Sequence, residues 1–426
     1  MRRLLLVTHR SIEQAGGPAA RWRAFRRYLP EHGWQVDVLS AAEHVGASEF
    51  DSNSARSVAT RAAVMARAAR LSQPAFRLVG VRPDALPLST LWIARGALLV
   101  KRHIEHNPPD VVLATGPPIA GPIAARIGIA AYMGVGMRVP LVVELRDLWA
   151  GNPAFDLGGS VLPRIEQWLL DGARRVVACT PEAVSDLRVR HPGIGEQVVE
   201  IPNGFDPEIG VLARTGATEH APAENIAEKN HTRLRVVRTH DSKRTLTLLH
   251  SGTLTPARPL APLLHALEDP RILGSFRLVL HGYLSPTSRA EVESARQCGS
   301  VPIEVLPPSP WREAVGRIAS ADAGLITQAR AAGDETAVAS KIYEYLALNK
   351  PVLCITDGGA SEALLCRLQA DELCARLDIP ETIVAALARL RAGTHRPLAP
   401  ERLRPYSRRA LAGRMAGLLE DVASDG

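Results

Sequence analysis

The chain has 426 residues, more than one hydrophobic core normally organises, so two domains are the default expectation. Apolar residues make up 46% and charged ones 22%, an ordinary globular balance, whereas aromatics at 4% are too few for the stacking surfaces of a lectin or a single-strand nucleic-acid binder. A net charge of +7, much of it arginine in an Ala/Arg-rich chain, favours anionic partners without saying which. The cysteines, Cys179, Cys298, Cys354, Cys366 and Cys374, are odd in number and scattered, with neither C-x-x-C nor paired His spacing, which argues against a disulfide framework and a zinc site.

Short apolar runs alternate with longer amphipathic ones, as in βαβ units around a parallel sheet. After Arg2-Arg3, the run Leu4–Val7 is too short for a secretory leader and reads as a first buried strand, so a cytoplasmic protein is expected. Further strands are predicted at Val36–Leu39, Val111–Ala114, Leu141–Leu145, Val176–Cys179 and Val198–Ile201. The run from Ile119 to Met137 holds Arg126, a proline and four glycines, a poor membrane span. A second set of strands follows at Leu246–His250, Phe276–Leu280, Ile303–Leu306, Gly324–Thr327 and Val352–Thr356. The polar stretch between the sets, 207–245, lacks clear periodicity and reads as a linker with an insertion. The boundaries are therefore a first domain 1–206, a second 246–404, and a terminal amphipathic helix 405–426 with Leu411, Met415, Leu418, Leu419 and Val422 on one face.

Chemistry-bearing residues cluster where predicted strands end. Gly16-Gly17-Pro18 follows the first strand; such a loop can present amides to an anion, with Arg21 and Arg23 adding charge, though it is also a generic turn. Of the histidines that follow strands, His9 and His281, only His9 belongs to this first loop. Residues 54–71 suggest a basic helix carrying Arg56, Arg67 and Arg70, either solvated or resting on anionic lipid, and nearby Trp92 suits core or interface. Asp147 lies just past the strand LVVEL, as a ligand contact or a helix cap, while Glu144 inside that strand reads as structural. IPNGFD, 201–206, is first of all a turn. Gly252 and Thr253 open the loop HSGTLTPARPL, which carries Arg258; Gly358-Gly359 make a turn whose amides could line an anion pocket. Lys341 and Glu344 stand at i and i+3 of a short amphipathic helix, so they form a solvated ion pair or share one ligand. An ammonium suits a phosphate and a carboxylate suits a vicinal diol, which together describe a nucleotide diphosphate.

The segment KIYEYLALNKPVLCIT resembles the donor-binding helix and Pro-Val strand of GT-B glycosyltransferases of family 4, and VVELRDLWAGNP and DVVLATGPP resemble a bacterial subgroup of that family. The resemblance implies an α/β, GT-B fold of two Rossmann-like domains facing each other across a cleft, with the terminal helix crossing back onto the first. It implies a retaining, metal-independent transfer from a nucleotide-diphosphate sugar to a glycan or lipid-linked hydroxyl, in surface-glycan assembly at the inner face of the membrane, with no cofactor and no nucleic acid. On that basis Glu344 holds the ribose; Gly16, Gly17, Gly252, Thr253, Gly358 and Gly359 line the donor; Arg258 and Lys341 neutralise the leaving diphosphate; and Asp147 lies near the acceptor hydroxyl or donor sugar. Two places depart from the family pattern: Thr336, beside Glu335, stands where a first Glu is usual, and Thr253 stands for an Arg. A nucleotide-sugar 2-epimerase of the same fold and a non-catalytic two-domain sugar- or phosphate-binding protein are the alternatives.

Overall fold

The computed structural model describes residues 1–13, 17–40, 89–133, 139–150, 161–216, 244–299, 301–330 and 334–424. It divides into two units, Met1–Asn203 with Arg408–Gly426, and Gly204–Ser407. The seam thus falls at Gly204, and the terminal helix begins at Arg408 rather than 405.

Unit 1 runs β1 (Arg2–Thr8), α1 (Gly17–Tyr28), β2 (Trp34–Ser40), α2 (Ser89–His106), β3 (Val111–Gly116), α3 (Ala120–Met133), β4 (Leu141–Leu145), α4 (Val161–Asp171), β5 (Arg175–Ala178), α5 (Pro181–Arg190) and β6 (Val198–Glu200). Its strands form one parallel sheet in the order β2-β1-β3-β4-β5-β6. They read as continuous apolar runs because both faces are covered. Leu5, Val7, Val112 and Val143 join one core, which also buries Trp92, while Leu4, Leu6, Leu113 and Val142 join the other.

Unit 2 opens with α6 (Ile209–Gly216) and continues β7 (Leu246–Ser251), α7 (Ala261–Leu267), β8 (Phe276–His281), α8 (Pro286–Cys298), β9 (Ile303–Leu306), α9 (Trp311–Ser320), β10 (Ala323–Gln328), α10 (Lys341–Ala347), β11 (Val352–Thr356), α11 (Ala360–Leu368), β12 (Cys374–Arg376), α12 (Pro380–Ala392) and α13 (Pro400–Leu403). This sheet is also parallel, in the order β12-β11-β10-β7-β8-β9. Two readings change here. Residues 209–216 of the supposed linker are helical, because Ile209 and Ala213, one turn apart, bury against Val315 of α9. Three-residue β12 has too little apolar sequence to stand out. Residues 217–243 lie outside the described set.

The last helix, α14 (Arg408–Ser424), returns to unit 1. Its stripe Leu411, Met415, Leu419 and Val422 packs in one cluster with Trp22, Phe25 and Leu29.

One charged residue sits inside the unit 1 sheet. Glu144 of β4 has no exposed surface and accepts from Arg21 Nε at 3.0 Å, Trp22 Nε1 at 2.7 Å and Thr115 Oγ1 at 2.6 Å. The rest of the Arg21 guanidinium donates to the carbonyls of Ile201, at 2.9 Å, and Pro202. Burial pushes the Glu144 carboxyl up, but the charge of Arg21, the Thr115 bond, the charge of Arg146 and the Trp22 bond outweigh it, so it titrates below its ordinary range. The network pins α1 to β3, β4 and the segment after β6, and it removes Arg21 from the loop chemistry expected of it.

Glu144→Ala leaves Arg21 buried without a counter-charge and should destabilise unit 1 by about 3–5 kcal/mol in urea titrations, Glu144→Gln by less. Since the folded carboxyl titrates below the unfolded one, its stabilisation is complete above the unfolded carboxylate range and fades as pH falls through the folded value. The wild type should therefore lose stability on acidification more steeply than Glu144→Gln.

Candidate active site

In unit 2 the chain reverses its direction across the sheet at β7 and β10, and ligands of open parallel sheets lie beyond the carboxyl ends of strands at such a point. The loop leaving β7 turns at Gly252, with φ +150°, and the loop leaving β8 turns at Gly282, with φ +132°. A Cβ on Gly282 would stand 2.0 Å from the Gly252 carbonyl oxygen, so only glycine lets the loops stack. The first loop is tied to the end of β10 by a bond from Ala329 N to the Ala257 carbonyl, 2.9 Å.

Helix α10 is pegged to this pole by a phenol. The Tyr345 hydroxyl accepts from Ser251 N at 3.0 Å and donates to the Leu249 carbonyl at 2.8 Å, and its ring fills a notch at Gly324, where a Cβ would approach it to 2.4 Å. Burial raises the phenol's pKa, keeping the proton it donates. The peg sets Glu344, its neighbour in sequence, and Lys341, one turn earlier. Glu344 is only 5% exposed and accepts from Lys341 Nζ, with which it pairs, and from Trp311 Nε1 at 3.3 Å. The two groups assigned to phosphate and ribose are thus bonded to each other.

Arg258 lies at the same pole but curls over its own loop, donating from Nη1 to the Thr253 carbonyl at 2.8 Å. Arg258 and Lys341 each act electrostatically on a different histidine. His250, in β7, is buried, and burial first and the charge of Arg258 second lower its pKa to about 4. His281, at the end of β8, bridges Ser251 Oγ at 3.1 Å and Ser309 Oγ at 3.0 Å; burial and then the charges of Arg317 and Lys341 lower its pKa.

Gly358 and Gly359, with φ of +107° and +104°, lead from β11 into α11. A Cβ on Gly359 would lie 2.9 Å from the Glu335 carbonyl oxygen, so Glu335 backs this turn with its main chain. Its carboxylate pairs with Arg330 at 3.1 Å.

In unit 1, Gly17 begins α1, and Gly16 and residues 54–71 lie outside the described set. Arg23 donates to the Ile12 carbonyl at 2.8 Å. Asp147 is exposed just beyond β4, beside Arg146, whose guanidinium holds the carbonyls of Gly116, at 3.2 Å, and Pro117. His9 is buried at the end of β1, and desolvation and then Arg10 bring its pKa to about 4.

Residues 16–204 match the family model of the glycosyl transferase 4-like domain. Solved structures extend the fold likeness to the whole chain. A glycosyltransferase from Rickettsia africae aligns over 100% of this chain and 99% of its own, with TM-score 0.60 and 10% identity. HepE of Anabaena, in complex with UDP and glucose, covers 100% and 98%, with TM-score 0.56 and 13% identity. The UDP-GlcNAc 2-epimerase of Methanocaldococcus jannaschii covers 99% and 100%, with TM-score 0.55 and 10% identity. By sequence, no curated protein matches the chain. At such identities the likeness establishes the GT-B fold, two Rossmann-like units, and the family match lies within the first of them.

Among the described residues no cluster of three or more His, Cys, Asp or Glu is placed to hold a metal ion, and no helix is long and apolar enough to cross a membrane. Trp311, Ser309, His250 and the role of His281 were not read from sequence; for the two histidines the one signal is a polar residue closing a largely apolar strand, as in LTLLHS and FRLVLH.

Tyr345→Phe should leave the Ser251 amide without its acceptor, costing unit 2 about 1–3 kcal/mol. Hydrogen exchange should show faster exchange at Ser251 than in β8, and Gly324→Ala should reproduce the loosening by expelling the ring.

Proposed function

We propose that the protein is a retaining, metal-independent glycosyltransferase that moves a sugar from a nucleotide-diphosphate donor to a hydroxyl of a glycan or lipid-linked acceptor. The observation that carries this reading is the pole of unit 2, where the Arg258 loop, the Lys341–Glu344 pair and the Gly358-Gly359 turn meet the carboxyl ends of β7 and β11. In this reading Glu344 exchanges Lys341 for the ribose hydroxyls, and the released ammonium turns to the diphosphate. Nζ is part-exposed and Glu344 lies just beneath the surface, so the exchange trades one charge-assisted contact for others.

Cleavage of the glycosidic bond leaves negative charge on the diphosphate, and Arg258 and Lys341 are assigned to stabilise it. The sugar takes on oxocarbenium character, and the acceptor hydroxyl, held on the face the phosphate leaves, attacks there. Departing phosphate oxygen takes the proton, and Asp147 orients the acceptor. Retention and metal independence rest on the resemblance to family 4. A role in surface-glycan assembly rests there too.

The 2-epimerase is the second reading, favoured by one observation: His250 and His281 stand on adjacent strands at the donor pole, the histidines such chemistry needs. An epimerase converts its nucleotide sugar without an acceptor.

Isothermal titration with a panel of UDP-, GDP- and dTDP-sugars, followed by product analysis with and without acceptor, tests both. Donor binding with slow hydrolysis or acceptor-dependent transfer is expected; C2 inversion of the donor would establish the epimerase, and no binding at all would sink both. Glu344→Ala should mainly weaken donor binding, whereas Arg258→Ala should lower kcat by more than it raises KM, because the charge it meets peaks in the transition state.

A further inference from the structure

Two buried polar atoms near the carboxyl ends of β7 and β10 have no role in the transfer chemistry. His250 is 4% exposed. Its Nδ1 meets the Leu325 carbonyl at 3.2 Å, and since a carbonyl only accepts, Nδ1 carries the proton and Nε2 presents a bare lone pair. Among the described residues, Nε2 has no hydrogen-bond partner. It faces space beside Gly252: a Cβ built there would have His250 Nε2, at 3.7 Å, as its only heavy-atom neighbour within 4 Å, apart from the adjoining residues. The second atom is Thr327 Oγ1, on a residue 1% exposed and likewise without a partner among the described residues.

These two side chains share a face of the sheet. Leu248 and Leu325 belong to one core cluster, and His250 and Thr327 each follow by two residues on the paired strands β7 and β10, so alternation puts both on that side, at the carboxyl ends. An unsatisfied buried polar atom costs about 1–3 kcal/mol, and two on one face of the sheet, near the carboxyl ends of neighbouring strands, call for an occupant. A phosphate oxygen does not fit, because it has only lone pairs to offer the bare Nε2. A hydroxyl fits both, donating to Nε2 and accepting from the Thr327 hydroxyl.

We propose that His250 and Thr327 form a subsite for one hydroxyl of the donor's sugar, making them specificity-determining positioning residues. The inference rests on the reading of unit 2 as the donor-binding unit. His250 stays neutral through the physiological range, with its pKa near 4, so the acceptor is present wherever the enzyme works. The sugar hydroxyl completes two partnerships that its deoxygenated analogue leaves open.

The test is a double-mutant cycle between enzyme and substrate. The nucleotide sugar bound best in the panel above, and its analogues each lacking one sugar hydroxyl, are titrated against the wild type, His250→Asn and Thr327→Val. Asparagine can still donate to the Leu325 carbonyl while lacking an acceptor at the Nε2 position, and valine keeps the shape of threonine. One analogue should bind the wild type about 10- to 100-fold more weakly than the parent sugar. That discrimination should collapse in His250→Asn and shrink in Thr327→Val, Thr327→Ser should restore it, and affinity for the bare nucleotide diphosphate should stay unchanged. Discrimination that persists undiminished in both variants would overturn the proposal and assign the atoms to a buried water, even with donor binding intact. Failure of every nucleotide sugar to bind the wild type would instead overturn the donor-binding reading itself. Thermal melts of each variant separate loss of fold from loss of recognition.

Discussion

The hydroxyl of Tyr345 is the contact on which the donor pole depends. A short helix beside a parallel sheet can slide along it, and most of α10's packing is apolar and non-directional. One phenol, bonded to both a donor and an acceptor of β7 and keyed into the notch at Gly324, fixes the register. Because the same helix carries Lys341 and Glu344, and the same strand leads into Gly252 and Arg258, the peg sets the spacing of four groups supplied by distant parts of the chain. The glycine turns at 252 and 282 stack against each other beside it.

The two units use their charges differently. In unit 1 the ions are spent on structure: Arg21 and Glu144 satisfy each other and four further groups, and Arg146 holds two carbonyls. Such buried pairs are costly to disturb from one side only. In unit 2 the ions at the pole are held lightly. Arg258 rests on a neutral carbonyl of its own loop, which a polyanion can outcompete, and Lys341, part-exposed, pairs with a carboxylate that needs a replacement partner if the ammonium turns away. A binding site needs the second kind of cation, one whose resting partner is weaker than its ligand.

Much of this fold was legible because strands covered on both faces are unbroken apolar runs. What escaped detection was short or distant. Strand β12 has only Cys374, Ala375 and Arg376, and α6 is two turns at the edge of a polar stretch. Arg21 looked like a loop cation because its partner Glu144 lies 123 positions away, a separation no local pattern reveals. The Lys341–Glu344 spacing was legible, yet it suits an ion pair and a shared ligand equally, and the structure contains the ion pair. His250 and Thr327 are the last residues of the strands predicted at Leu246–His250 and Gly324–Thr327, where a polar residue carries no sign of a site; only burial without a partner sets them apart.

The lowered pKa values at the pole come first from burial and then from its cations. Burial disfavours both imidazolium ions, and the charges of Arg258 beside His250 and of Arg317 and Lys341 beside His281 add to that, because each imidazolium would put a positive charge where positive charge already stands. The histidines therefore remain uncharged, leaving the arginine and lysine as the charges an arriving anion meets. Protonated imidazoles would strengthen attraction for any anion but would remove the lone pairs that accept a hydroxyl. Under the proposed function, neutral imidazoles beneath fixed cations separate two tasks: charge to draw in the diphosphate, and uncharged hydrogen bonding to discriminate the sugar.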